Sequence, residues 1–384
     1  KLKTDPRDDR VLVLNMAYYY LAKKANKYVL LAPFINSIED IEMLEKKPVF
    51  YNTEYSPVVN RVIKTDILRH KDRYPECQRI ITTFDPKDKV LIYFPTVAGI
   101  YKYIKEFIAN EPCLNELDES VNNFLSWARE EIHEDWCLIK AIERGYLIHN
   151  GQIPMGIRMF QLDFFESSST FNRLLCTSTL LEGVNTTAKN IVITKPSRIS
   201  DKNDNKDNFS AFDFFNLVGR AGRLNQYFVG NAFYIKGPND PDYKKIDAIK
   251  SIKFEITDDS KDVDIQKGNV DNHSDVLEFL SELGISIDEY HRHIGSRLRF
   301  ETVKAIYVRF KEKNSELLGE LKKFIDEHPH GRLDLVKILY EIIEGKKDPL
   351  KSNIINNLLN KQRLKIKTVV DKIPKNYKKN NNLD

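Results

Sequence analysis

The sequence predicts an α/β domain followed by a mainly helical region, and two observations carry that division. Between Lys87 and about Ile252, short apolar runs of strand length alternate with segments of helical periodicity, the pattern of a parallel sheet covered on both faces. Beyond Ile252 the strand-length runs stop and apolar residues recur at helical spacing.

The 384 residues are 41% hydrophobic and 30% charged, enough for two or three packed domains. Apolar runs such as Val90–Phe94 are too short to span a bilayer, and the opening KLKTDPRDDR is polar. The expectation is a soluble, cytoplasmic chain with no membrane partner. Cys77, Cys113, Cys137 and Cys176 are scattered, with no C-x-x-C or Cys/His spacing, so neither a metal site nor a disulfide framework is expected. Sixty basic residues nearly balance 56 acidic ones, leaving a formal charge of +4. Any nucleic-acid surface must therefore be local.

Residues 1–75 read as the remnant of a preceding domain. A helix around Val11–Lys24 leads into an apolar strand at Tyr28–Ala32, and a lone helix and strand cannot bury a sheet. Residues 76–252 hold the α/β pattern. Strand Val90–Phe94 precedes a helix over Gly99–Ala109, where Ile100, Ile104, Phe107 and Ile108 share a face. Strand Tyr146–His149 precedes helix Gly156–Phe165. Strands Leu174–Thr177 and Ile191–Thr194 follow, then helix Asp213–Val218 and a closing strand, Asn231–Ile235. The stretch from Asn110 to Ile142 reads as two surface helices, with Trp127 and Trp136 as packing residues. The polar stretch between Ile199 and Ser210 reads as a loop. Residues 253–375 are read as helices over Asp275–Leu283 (closed by Gly284), Phe300–Lys313, Glu316–Glu327, Leu333–Ile343 and Ser352–Leu364, and 376–384 as a tail too polar to fold.

The most specific segment is Asn216-Leu-Val-Gly-Arg-Ala-Gly-Arg223. Its two guanidiniums stand three residues apart, on or just after a short helix. Arginine is permanently charged and forks onto phosphate oxygens, so a pair on a rigid element suits charge developing on a γ-phosphate. Gly219 and Gly222 let another backbone come close. About forty residues upstream, Leu175-Cys-Thr-Ser-Thr-Leu-Leu-Glu-Gly-Val-Asn185 runs from an apolar strand into hydroxyls and a Gly-containing turn. The carboxyl ends of parallel strands are where open α/β sheets bind ligands, and small hydroxyls there suit sugar-phosphate contacts.

These two strings resemble motifs V and VI of the superfamily-two helicases, in the DExH branch of Ski-type and archaeal Hel-type enzymes. That branch has T-S-T-L-x-x-G-V-N followed by Q-x-x-G-R-A-G-R. His149-Asn-Gly-Gln-Ile-Pro-Met-Gly-Ile-Arg158 is similar to its H-x-G-x-L-P-x-x-x-R segment, and Val90–Thr96 to motif IV. The resemblance spans about Val90–Arg223 and implies the second RecA-like domain of an ATP-dependent helicase or translocase. Residues 1–75 would then come from the first RecA-like domain, and 253–375 would include part of a winged helix and helical bundle.

By this resemblance Arg223 would be the catalytic arginine finger and Arg220 its partner, reaching ATP on the other domain. Gly183, Asn185, Asn216 and Gly219 would lie near that nucleotide. Thr96, Arg158, Thr177 and Ser178 would contact the backbone of single-stranded RNA or DNA, without sequence preference. His149 is either such a contact or a packed strand-end residue.

Departures are informative. Asn216 stands where the motif has Gln, and Ala32 and Phe34 replace the Ser and Thr of the L-S-A-T segment that couples ATP to nucleic acid. Asp5–Arg10 resembles the stretch that follows the DExH box. No G-x-x-x-x-G-K-[ST] occurs in the chain, and Asp326-Glu-His328 closes an amphipathic helix instead of following a buried strand. ATP and Mg²⁺ are therefore expected only with a P-loop domain of the same longer chain, and none is expected on these residues alone. The alternative is a non-enzymatic nucleic-acid-binding or interaction protein with a helicase-like fold. Lys361, Arg363, Lys365 and Lys367 form either a solvated face or a phosphate-tracking row.

Overall fold

The computed structural model describes residues 17–371 apart from 19, 45, 47, 54–57, 182–187, 198–207, 223–226, 254–260, 268–269, 272, 296–297, 313–314, 327–332 and 361–365. Strands are labelled β1 (Ile35–Glu39), β2 (Val59–Asp66), β3 (Val90–Tyr93), β4 (Tyr146–His149), β5 (Arg173–Cys176), β6 (Asn190–Ile193), β7 (Val229–Lys236) and β8 (Lys250–Lys253). The chain separates into two compact units. Of the described residues, one contains Ala32–Ser37, Tyr51–Ser251 and 366–371, and the other 17–31, Ile38–Phe50 and Ile252–Leu364.

The first unit is an α/β fold. Its six-stranded sheet runs β2-β7-β6-β3-β5-β4, and every pair is parallel. Strands β3, β4 and β6 are buried at every position, which explains why they read as unbroken apolar runs. Helices Arg73–Ile81, Val97–Glu106, Met155–Ser167 and Ala211–Val218 flank the sheet. The expected insertion helices are Glu119–Glu131 and Cys137–Ile142. Trp136 packs against the core, whereas Trp127 is 43% exposed, so the packing role expected of both holds for Trp136 alone.

Upstream of Lys87 the structure departs from the expected pattern. The sheet starts at β2, within the stretch read as a remnant, and β2 pairs with β7 over its whole length. Its sequence, VNRVIKTD, hides this because an edge strand exposed along most of its length shows no apolar run. Conversely, Tyr28–Ala32 is not a strand. Val29 and Leu31 are 81% and 91% exposed, with no strand pairing to them among the described residues, and the strand forms later, at β1.

The second unit is mainly helical, with Lys261–Lys267, Ser274–Leu283, Phe300–Lys311, Glu316–Asp326, Leu333–Glu344 and Pro349–Asn360 as its principal helices. Phe279 and Phe300 meet edge to face, with ring centroids 5.4 Å apart, inside an apolar cluster that includes Val276, Leu280 and Tyr290. Gly284 ends its helix at φ 66°, a left-handed position that glycine adopts at little cost. Most of the loop between Ile199 and Ser210, the expected 376–384 tail and most of the Lys361–Lys367 row fall outside the described residues, whereas Phe209 at the end of that loop is buried. Among the described residues, no helix is long and apolar enough to cross a membrane.

One buried cation ties the α/β unit together. Arg73, 4% exposed, donates from Nη1 to the carbonyls of Thr194 (2.8 Å) and Ile235 (3.0 Å), just past β6 and near the end of β7. Its Nη2 donates to Asp240 Oδ2 at 2.7 Å, and the same oxygen accepts from the Gly237 amide at 2.9 Å. Removing the guanidinium would leave a buried carboxylate without its cation, held among the described residues by the Gly237 amide alone, and would take a donor from two carbonyls. Arg73→Ala is therefore expected to lower unfolding free energy by about 3–5 kcal/mol, read from the urea midpoint, with Arg73→Lys recovering part of the loss.

Candidate functional site

The sequence-predicted residues separate onto two edges of the sheet. Because β3, β5 and β4 are adjacent and parallel, their carboxyl ends bring Thr96, Thr177, Ser178 and His149 to one edge. Arg158 joins them from the first turn of helix Met155–Ser167, which follows β4.

These groups are unequally available. Thr96 caps helix Val97–Glu106, accepting from the Gly99 amide at 3.1 Å, and its own O–H remains a donor. Thr177 is 6% exposed, with its amide donated to the His149 carbonyl at 3.2 Å and its hydroxyl 3.3 Å from that of Thr179. Ser178 is half-buried, and its hydroxyl has no hydrogen-bond partner among the described residues. Arg158 has no carboxylate partner among the described residues. Its Nη2 lies 3.5 Å from the Met155 sulfur, and its Nε is buried without a partner. A cation left in this state is set to receive an anion.

His149 is 3% exposed, and its Nδ1 lies 3.3 Å from the Thr179 hydroxyl. Burial, reinforced by the positive charge of Arg158 and opposed by a backbone hydrogen bond, pushes its pKa down to about 4. The imidazole is neutral near pH 7 and organises the strand ends as an uncharged group.

The second locus lies at the opposite edge. Helix Ala211–Val218 runs back across the sheet, so its carboxyl end reaches the amino ends of β6 and β7. Ser210 caps its start, with its hydroxyl accepting from the Asp213 amide at 3.1 Å. Past its end, the Gly222 amide donates to the Ala188 carbonyl at 2.8 Å. Gly222 has φ 82°, and a Cβ there would sit 2.4 Å from Val58 Cγ1 and 3.0 Å from the Gly230 nitrogen. The close backbone approach expected at this glycine is present. At Gly219 the nearest atoms to an added Cβ belong to its own helix.

Asn216, Gly219, Arg220 and Gly222 line a cleft of about 250 Å³ with Pro33, Phe34 and Phe215. Burial lowers the Arg220 pKa. Phe34 packs edge to face on Phe212 and Phe215, at centroid distances of 6.1 and 6.5 Å, and donor Lys250 holds its carbonyl at 2.8 Å. Its φ of 57° is strained for a bulky side chain. The sequence pointed to Phe34 only as a departure from a motif and gave no sign that it would line this cleft. Arg223, Gly183 and Asn185 lie outside the described residues.

A six-stranded parallel sheet flanked by helices, with hydroxyls and a bare cation at one edge and an arginine-lined cleft at the other, defines an α/β domain that fits the RecA-like arrangement. No family model matches the sequence. Over 237 residues the chain is 33% identical to Anti-bacteriophage protein B of Escherichia coli (strain K12), a match that covers 60% of this chain and 30% of that protein. The chain thus spans less than a third of the length of this relative.

Because His149 is held neutral, its contribution has a defined sign. The stabilisation is fully present above the ordinary imidazole value of 6.5 and is lost as pH falls through about 4. On the order of 3 kcal/mol of stability is expected to disappear across that window. Urea unfolding at a series of pH values should show this slope, flattened in His149→Asn.

Proposed function

We propose that this chain supplies the second motor domain of an ATP-dependent helicase or translocase acting on single-stranded nucleic acid. The Thr96, Arg158 and Ser178 edge would take the sugar-phosphate backbone. Buried Thr177 and His149 would hold that edge in shape. Arg220 and Arg223 would face ATP and Mg²⁺ bound by a P-loop domain, with Asn216, Gly219, Gly183 and Asn185 near the nucleotide. The observation that carries this reading is the division of labour across one sheet: unpartnered donors at the carboxyl edge and an arginine-lined cleft at the amino edge.

The proposed chemistry is electrostatic. A guanidinium brought to a γ-phosphate stabilises charge as it develops in phosphoryl transfer, and closure and reopening of two domains about ATP would move the bound strand. Asn216 keeps an amide on an arm one methylene shorter than Gln, which asks for a closer nucleotide. The name of the similar Escherichia coli protein supports a setting in defence against bacteriophage, where the track would be nucleic acid of the invader.

A backbone-tracking edge makes a quantitative demand. Arg158→Ala should weaken binding of fluorescein-labelled dT20 and U20 by similar factors and reduce the slope of log K against log salt by about one. Ser178→Ala should weaken binding without changing that slope. Anisotropy titrations between low and moderate salt check both. Unchanged affinity in both variants would remove this edge from the track.

A further inference from the structure

From Asn190 to Ser197 every residue is buried except Lys195, which is half-buried and is the one chargeable side chain of the run. The backbone that carries it is fixed on both sides. On one side the Thr194 amide and hydroxyl both donate to the Tyr93 carbonyl, at 3.1 and 2.8 Å, and the Thr194 carbonyl accepts from Arg73. On the other, the Ser197 carbonyl accepts from the Tyr93 hydroxyl at 2.6 Å, and the Pro196 carbonyl accepts from the Phe209 amide at 2.7 Å. A lysine that breaks a buried run on backbone tied this closely has its place set before any ligand arrives.

That place is the carboxyl edge. Lys195 lies two residues past β6, and β6 is followed across the sheet by β3, β5 and β4, so the edge runs from Lys195 through Thr96 and Ser178 to Arg158 just beyond β4. Tyr93, Cys176 and His149 are partners in register, and parallel partners point to one face of the sheet. The Tyr93 hydroxyl holds Ser197 over that face, and His149 is the group on which the charge of Arg158 acts. From this placement we infer that Lys195 is a second phosphate-binding cation of the edge, holding the single strand at the end of the row opposite Arg158. The inference deepens the reading of the carboxyl edge as a strand-binding surface and rests on it. An ammonium is a point charge with three donors, so the contact that Lys195 makes within the chain leaves donors for a phosphate oxygen. Three inter-strand spacings, about 14 Å, separate β6 from β4, and over that span the two cations neutralise different phosphates. With hydroxyls between them they lay the nucleic-acid backbone across the ends of β4, β5, β3 and β6. Neither cation reads a base edge, so the added affinity carries no sequence preference.

Anisotropy titrations of fluorescein-labelled dT20 at a series of salt concentrations, made on the full chain, test this. Lys195→Ala and Lys195→Gln should each weaken binding about fivefold at 0.1 M salt and lower the slope of log K against log salt by about one, whereas Lys195→Arg should keep the slope of the unsubstituted protein. Lys195→Ala combined with Arg158→Ala should lower the slope by about two. Urea midpoints of the same variants separate lost binding from lost folding, because a lysine serving only a contact within the chain would shift the midpoint and leave the slope alone. A slope that falls in Arg158→Ala but stays unchanged in Lys195→Ala, or a double variant no different from Arg158→Ala, would overturn the second cation and leave the strand-binding edge standing. Failure of the unsubstituted protein to bind dT20 or U20 would overturn both.

Discussion

Strands β6 and β7 are tied at both ends by contacts made outside their own ladder, and both candidate surfaces depend on this. At the amino ends, Gly222 and Gly230 pass backbone to backbone, closer than any side chain would allow. At the carboxyl ends, Arg73 gathers the Thr194 and Ile235 carbonyls together with Asp240. The first contact fixes where helix Ala211–Val218 ends, and so where Arg220 stands. The second fixes the height of the sheet edge along which the hydroxyls and Arg158 are displayed. A parallel sheet with short strands has little ladder energy of its own, so such ties carry a large share of the precision of the site.

The two edges impose different chemistry. At the carboxyl edge, Thr96 accepts from its helix but keeps its O–H as a donor and the hydroxyl of Thr177 is turned inward, leaving Thr96, Ser178 and Arg158 as the outward donors. This combination favours phosphate over base and explains how affinity could be gained without reading sequence. At the amino edge, burial strips water from Arg220 and aromatic rings wall the cleft, which strengthens any ion pair made there relative to one in open solvent. The strained backbone of Phe34 lies in this wall, in a segment where the resembled family couples nucleotide to nucleic acid. A residue held against its conformational preference is suited to move when the cleft is filled.

Much of the fold was legible because buried parallel strands leave unbroken apolar runs. β3, β4, β5 and β6 lie within a residue or so of where those runs place them, and helix Ala211–Val218 extends the expected helix by two residues. Strand β2 was illegible for the complementary reason: an exposed edge strand has no face to declare. The Arg73–Asp240 pair was equally hidden, since nothing in a sequence marks two charges 167 residues apart as partners. At the site, residue types and spacing located the strand-end hydroxyls and the arginines. They did not separate the outward donors from His149 and Thr177, whose burial arises only when β4 and β5 lie side by side. Trp127 was misread because aromatic residues in an amphipathic helix usually face inward, and only packing shows which one does not.

The central claim is that arginines of this domain act on ATP held elsewhere. Its most direct test is ATP turnover by the natural protein that carries this chain, with and without single-stranded RNA or DNA, compared with Arg223→Ala and with nucleotide binding measured separately. The account predicts turnover stimulated by a single strand and reduced about a thousandfold in Arg223→Ala, with ATP still bound. Turnover undiminished in that variant, or absent from the unsubstituted protein, would contradict it and favour a helicase-like fold retained for binding alone.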